Sequence, residues 1–264
     1  MIPRTGQRTH RARAALLAAG AAFSLLIASA PGAAGELSFG VNAGATYDVN
    51  RLGEDINRYN VVMEAYSDEN PGSMTQSMGT PVAPAFGLSA RYQFNQLLFR
   101  VGLYFATPVG SIEGYITPAD GQENRLKIST FQISMPATVA LVLPIKEKTY
   151  VYLGLGLTYH QIYVKMSQSN PQQTAALFEA NGLSSHRTDQ YGGQFGGYHI
   201  LIGAEFPLLE RLTLTVDWIH QEARSQALEN KGTDANGAAT TSPKRTFSAT
   251  GDFAFIGVNY YLQI

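Results

Sequence analysis

From Leu37 onward the chain alternates. Leu37, Phe39, Val41, Ala43, Ala45, Tyr47 and Val49 take every second position, with Ser38, Gly40, Asn42, Gly44, Thr46 and Asp48 between them. A period of two belongs to a strand, whose successive side chains leave opposite faces, and not to a helix. The same alternation returns over 86–94, 97–105, 131–143, 151–159, 198–206, 212–218 and 254–264. In each run one face is apolar and the other is mainly Gly, Ser, Thr or Asn. The pattern predicts eight strands.

The connections alternate as well. Asn95-Gln96, Lys146-Glu147-Lys148 and Glu210-Arg211 mark short turns, whereas 50–84, 111–127, 167–194 and 225–251 are long and polar. Short turns at one end and long loops at the other predict an all-β, eight-stranded antiparallel up-and-down transmembrane β-barrel. Each run holds about ten residues, enough for a tilted strand to cross a bilayer. A closed barrel is the only sheet that leaves no unpaired edge in hydrocarbon, so the apolar faces are expected to meet lipid. Tyr92, Phe94, Phe206 and Tyr260 fall toward the turn end of that face. Tyr47, Phe105, Phe131, Tyr159, Tyr198 and Trp218 fall toward the loop end, giving the two aromatic belts that bilayer interfaces favour. The competing architecture is a soluble, lipocalin-like barrel with its apolar faces turned inward. Such a barrel needs a charged exterior, which the small, uncharged second faces do not supply.

The first 34 residues read differently. Arg4, Arg8, Arg11 and Arg13 precede an uncharged run from Ala14 to Ala30 and the small residues Pro31-Gly32-Ala33-Ala34. That order describes a secretory signal peptide cleaved after Ala34, leaving residues 35–264 as the barrel. The competing reading is a retained anchor, since the stretch from Ala14 to Gly35 carries no charge and could just span a bilayer. Losing the four arginines moves the formal net charge from −1 to −5. A charged fraction of 15% and so few basic residues argue against a nucleic-acid partner. With no cysteine, thiol chemistry, thiolate metal sites and disulfides are excluded. Neither a His-x-x-x-His pair nor a nucleotide-binding glycine loop is present, so no metal or other cofactor is expected.

The inward positions carry the candidate site. Leu98, Tyr104, Tyr150, Tyr152, Leu201, Phe253 and Phe255 would line the lumen with apolar and aromatic surface, and Arg91, Arg100, His199, Glu205 and Asp217 would bring charge or hydrogen bonds to it. Eight strands enclose a space that side chains just fill, so a wide aqueous pore is excluded. Arg91 and Arg100 lie at similar distances from the Asn95 turn, with Glu205 at comparable depth. Two roles fit them: an arginine–carboxylate cluster that plugs the barrel, or a gate beneath an apolar antechamber.

Four phrases resemble the outer membrane protein W family. They are Phe105-Ala106-Thr107-Pro108, Met135-Pro136-Ala137-Thr138, the stretch Tyr150 to Tyr159, and the segment from Phe195 through Glu205 to Asp217. The resemblance covers roughly 85–225. It implies a monomeric bacterial outer-membrane barrel forming a narrow, apolar-lined channel for small hydrophobic molecules, with periplasmic termini and extracellular loops. The chain departs from the family in its long first loop and in Gly251-Asp252-Phe253, where the family has Pro-Trp. Gly257-Val258-Asn259-Tyr260-Tyr261-Leu262 resembles the C-terminal signal read by the barrel-assembly machinery. The chain nonetheless ends in Ile264 and not phenylalanine, which a variant machinery or a distant lineage would explain.

An enzyme is not expected. Small barrels that hydrolyse or transfer acyl chains need a serine, a histidine and a carboxylate together, and no inward serine shares a strand with His160 or His199 at matching depth. A site assembled across strands stays open. So does a function residing in the loops, where a closed barrel would mediate adhesion or immune interaction. Glu54, Asp55, Glu64, Asp68 and Glu69 crowd the first loop, and Lys231, Lys244 and Arg245 the fourth.

Overall fold

A computed structural model describes residues 35–262, apart from position 48 and positions 109–111, 147–148, 224–225 and 241–243. The expected leader, its cleavage point and the final isoleucine lie outside the described residues. The barrel strands are β1 (Glu36–Thr46), β3 (Ala83–Phe94), β4 (Leu97–Ala106), β6 (Asn124–Lys146), β7 (Thr149–Gln168), β8 (Thr188–Leu209), β9 (Leu212–Ala223) and β12 (Gly251–Leu262). Between them lie β2 (Met74–Gln76), β5 (Ile112–Thr117), β10 (Gln226–Leu228) and β11 (Arg245–Phe247). Around the ring the order is β1-β3-β4-β6-β7-β8-β9-β12, each pair antiparallel, and β12 closes on β1. No helix among the described residues is long and apolar enough to cross a membrane. The crossing elements are the strands.

The side chains sort as the alternation requires. Leu157 is 73% exposed while the next residue, Thr158, is 3% exposed. Val41, Phe86, Leu155 and Ile256 are likewise exposed, and Asn42, Ser89, Thr215 and Asn259 are buried. The apolar faces therefore point outward, which overturns the lipocalin-like alternative. One belt residue departs from expectation: Tyr92 is buried, tucked against Gly35.

Small residues let the wall close. On β1 a Cβ at Gly44 would run into the backbone carbonyl oxygen of Ala254 on β12, a partner that cannot rotate away. Gly44→Ala is expected to destabilise the barrel by about 1–3 kcal/mol through overpacking, read as a lower urea midpoint in a heat-shifted gel-mobility assay.

The wall is uneven. β4 has 10 residues, but β6, β7 and β8 have 23, 20 and 22, so they rise far above the rest. Along β6 the inward residues Thr130, Gln132 and Ser134 are polar, whereas the inward residues higher up, Leu126 and Ile128, are apolar. The outward face changes in the opposite sense, from Phe131 to Ser129, Lys127 and Arg125. The alternation inverts its phase where the strand leaves lipid, and the sequence pattern therefore marks a strand end there although the strand continues.

What fills the raised part is a helix. α1 (Gly53–Glu69) sits in the first of the long, polar connections. Glu54 and Asp55 in its first turn complement the helix dipole, and Asn70 ends it by donating to the Tyr66 carbonyl. Ile56, Tyr59 and Met63 form one buried stripe. They pack with Ile128, Ile162, Val164, Phe195, Phe247 and the Phe178 ring of the short helix α2 (Ala175–Ala180). The helix is thus a stopper seated in the loop end of the barrel.

Candidate functional site

Arg91 on β3 and Arg100 on β4 are directly opposite in register, a like-charge pairing that is unfavourable by itself. The remedy lies across the lumen. Arg91 Nη2 is 2.8 Å from Glu205 on β8, and Arg100 Nη1 is 2.7 Å from Asp217 on β9. In the ring order β8 stands four strands from β3, and β9 four from β4. With eight strands, four apart is diametrically opposite. Each ion pair therefore spans the full width of the barrel.

All four side chains are at most 3% exposed, and phenols complete their shell. Arg100 donates to the Tyr104 hydroxyl at 2.6 Å, and the Tyr152 hydroxyl donates to Asp217. Tyr261 donates to Glu205 at 2.6 Å, and Thr213 donates to the same carboxylate. The Arg91 guanidinium also lies 5.1 Å above the Tyr152 ring, a cation–π contact. Buried charges persist only when paired and hydrogen-bonded in this way.

The other expected lining residues stack around that layer. Tyr104 stacks on Phe255 at 4.6 Å, and Phe255 on Phe253 at 5.8 Å. Leu98, Leu201, Phe253 and Phe255 belong to one buried cluster, with Tyr150 packed against its edge. His199 is held between Thr138 and Thr158, at 2.8 and 2.7 Å, as an ordinary hydrogen-bonded lining residue. All twelve sequence-predicted positions thus face inward, and the ion pairs and phenols bring Arg91, Arg100, Tyr104, Tyr152, Glu205 and Asp217 into one network.

Sequence reasoning missed two partners. Tyr261 and Thr213 hold Glu205 from the turn end, and only their inward phase could have shown it. Register also places Ser134 opposite His160, with Oγ 3.0 Å from Nδ1. This is a cross-strand serine–histidine pair, but both residues are fully enclosed and no carboxylate is hydrogen-bonded to the imidazole. It lacks the orienting third member of a triad and a path for substrate.

Among the described residues, space opens at both ends of the barrel. A cleft of about 200 Å³ at the turn end is lined by Glu36, Tyr150, Arg211, Thr213 and Tyr261, and its floor is the Glu205 network. Beneath α1 the cavity beside Tyr59, Leu126 and Ile128 is about 10 Å³, room for one water at most. α1 is latched as well as packed. The Tyr59 hydroxyl donates to the Ser184 carbonyl and accepts from the Ser184 N–H at 3.1 Å, while Arg245 pairs with Asp55. Burial raises the Tyr59 phenol well above its ordinary value, so it stays neutral.

The model of the outer membrane protein β-barrel domain matches residues 16–261. The chain belongs to that family. Membership places it in a bacterial outer membrane, in keeping with the exposed apolar belt. No curated protein matches it. Among solved structures, the outer membrane protein OprG from Pseudomonas aeruginosa aligns with TM-score 0.50 at 13% identity, covering 88% of this chain and 98% of its own. Neisserial surface protein A aligns with TM-score 0.45 at 13% identity, covering 87% and 98%. The Escherichia coli outer membrane protein W aligns with TM-score 0.34 at 14% identity, covering 88% and 100%. The family match bears out the expected outer-membrane barrel, and OprG and outer membrane protein W are both among its structural neighbours.

Proposed function

We propose that this protein is a closed, monomeric outer-membrane barrel that presents a folded head at the cell surface, and that it works by binding there. The observation that carries this reading is the pair of ion bridges across the lumen's diameter, Arg91–Glu205 and Arg100–Asp217. A second closure, the α1 stopper, supports it. In this reading the turn end and both termini of the barrel face the periplasm, because short turns lie there in barrels of this kind. The barrel-assembly machinery would recognise the final strand through Gly257–Leu262.

A second reading, passage of small hydrophobic molecules, is favoured by one observation: the surface against which α1 packs is apolar, with Ile128, Ile162, Val164 and Phe195 in it. It requires α1 to leave and the ion bridges to part. Planar-bilayer recording on refolded residues 35–264, with and without a long-chain amphiphile, separates the two. The closed reading expects no discrete openings from protein whose gel mobility shows it folded, and no change on Phe255→Ala. Openings blocked by the amphiphile would replace it with the channel reading.

A further inference from the structure

The outward face of β6 and β7 changes character within a few rungs. Phe131 and Tyr163 are cross-strand partners at the top of the lipid-facing belt. The next rung pairs Ser129 with Lys165, and the one after pairs Lys127 with Ser167. Above these, Arg125 and Ser169 are tied by a 2.8 Å bond from the Arg125 N–H to Ser169 Oγ. Three successive rungs thus carry one cation and one serine hydroxyl each, directly above an aromatic rung. Cross-strand neighbours lie about 5 Å apart, so a cation and a hydroxyl on adjoining rungs can reach one phosphate together.

The surroundings fit an anion. Arg125 and Lys127 have side chains about half exposed. Their acidic neighbours are Glu113, 3.2 Å from Lys127, and Glu123, 2.9 Å from Arg125, and all four groups are solvated. Such exposed pairs are weak and exchange readily. β8 places a neutral side chain, Gln190, beside Lys165. Gly192 stands opposite Tyr163 with nothing but a distant backbone oxygen near its missing side chain, leaving a gap beside the ring. The far side of the barrel is the reverse: above Trp218 the outward groups are His220, Glu222 and Asp252, joined to one another.

We propose that this β6–β7 ladder binds the phosphorylated headgroup of a lipid in the outer leaflet, with Arg125, Lys127 and Lys165 as its cations and Tyr163 beside the glycerol or sugar. The inference rests on the orientation given above, which puts the head outside. It extends the binding role from the head to the rim of the barrel and gives the rim a sided preference for anionic lipid.

The test uses the full barrel folded in neutral detergent and native mass spectrometry, with diphosphoryl lipid A, its phosphatase-treated form and phosphatidylcholine as probes. Wild type is expected to retain diphosphoryl lipid A, the dephosphorylated form far less, and phosphatidylcholine not at all. Each cation removed should weaken retention about fivefold, so R125Q/K127Q/K165Q should lose nearly all of it while E222Q/D252N keeps it. Equal retention of all three probes, or full retention by the triple variant, would overturn the proposal. Displacement of the lipid by inorganic phosphate at comparable concentration would also overturn it, in favour of a free-anion site. Should the triple variant fail the gel-mobility check for folding, Lys165→Gln alone and the dephosphorylated lipid on wild type carry the test. Protease access to the head on intact cells reads the orientation separately, so its failure is distinguishable from failure of the ladder.

Discussion

Asp217→Ala is expected to cost the barrel about 3–5 kcal/mol, the range for removing one partner of a buried ion pair. The substitution strands the Arg100 guanidinium, 3% exposed, and takes the acceptor from the Tyr152 hydroxyl. Urea unfolding followed by tryptophan fluorescence is well suited to the measurement, because the chain's single tryptophan, Trp218, adjoins the site. Replacing both charges, as in Arg100→Met with Asp217→Leu, should recover most of the loss, since apolar residues of similar volume avoid the desolvation cost altogether. A cost no larger than that of a surface substitution would mean that the bridge does not bear on closure of the lumen.

Tyr59→Ala should release the stopper. The ring is 1% exposed, meets Phe178 edge-on at 5.3 Å and carries the latch to Ser184. Losing a buried aromatic costs about 3–5 kcal/mol. Here the loss should fall on the head alone, because α1 contributes nothing to the strand ladder below. Limited proteolysis is expected to cut within 53–69 in the variant and not in wild type, while the barrel keeps its folded gel mobility. Bilayer current should stay absent, because the ion bridges still cross the lumen beneath. Current that appears on releasing α1 alone would place the closure in the helix and favour passage over binding.

These two closures differ in how much of each the residues announce. Arg91, Arg100, Glu205 and Asp217 are charged residues at inward phase in a space eight strands wide, so an internal cluster is readable in the sequence. Which arginine meets which carboxylate is not, since partners four strands apart around a ring have no sequence relation. The stopper left a fainter mark. Ile56, Tyr59 and Met63 are spaced for one helix face, but within a stretch holding Glu54, Asp55, Glu64, Asp68 and Glu69 the stripe is thin. A helix so polar gains its stability from what it packs against, and that surface is supplied by strands distant in the chain, with Ile128, Ile162, Val164 and Phe195 in it.

The sequence by itself determined the eight strands, the outward turn of their apolar faces and the charged layer within, because a period of two and a closed ring leave one way to satisfy both lipid and backbone. Only the tertiary structure decided where β6, β7 and β8 end, what fills their mouth and how the charges pair. Those strands continue past the membrane by inverting their pattern, Phe131 giving way outward to Lys127 as Ser134 gives way inward to Ile128. The inversion cannot be told from a strand end in one dimension, because it is the solvent on each face that changes there and not the backbone.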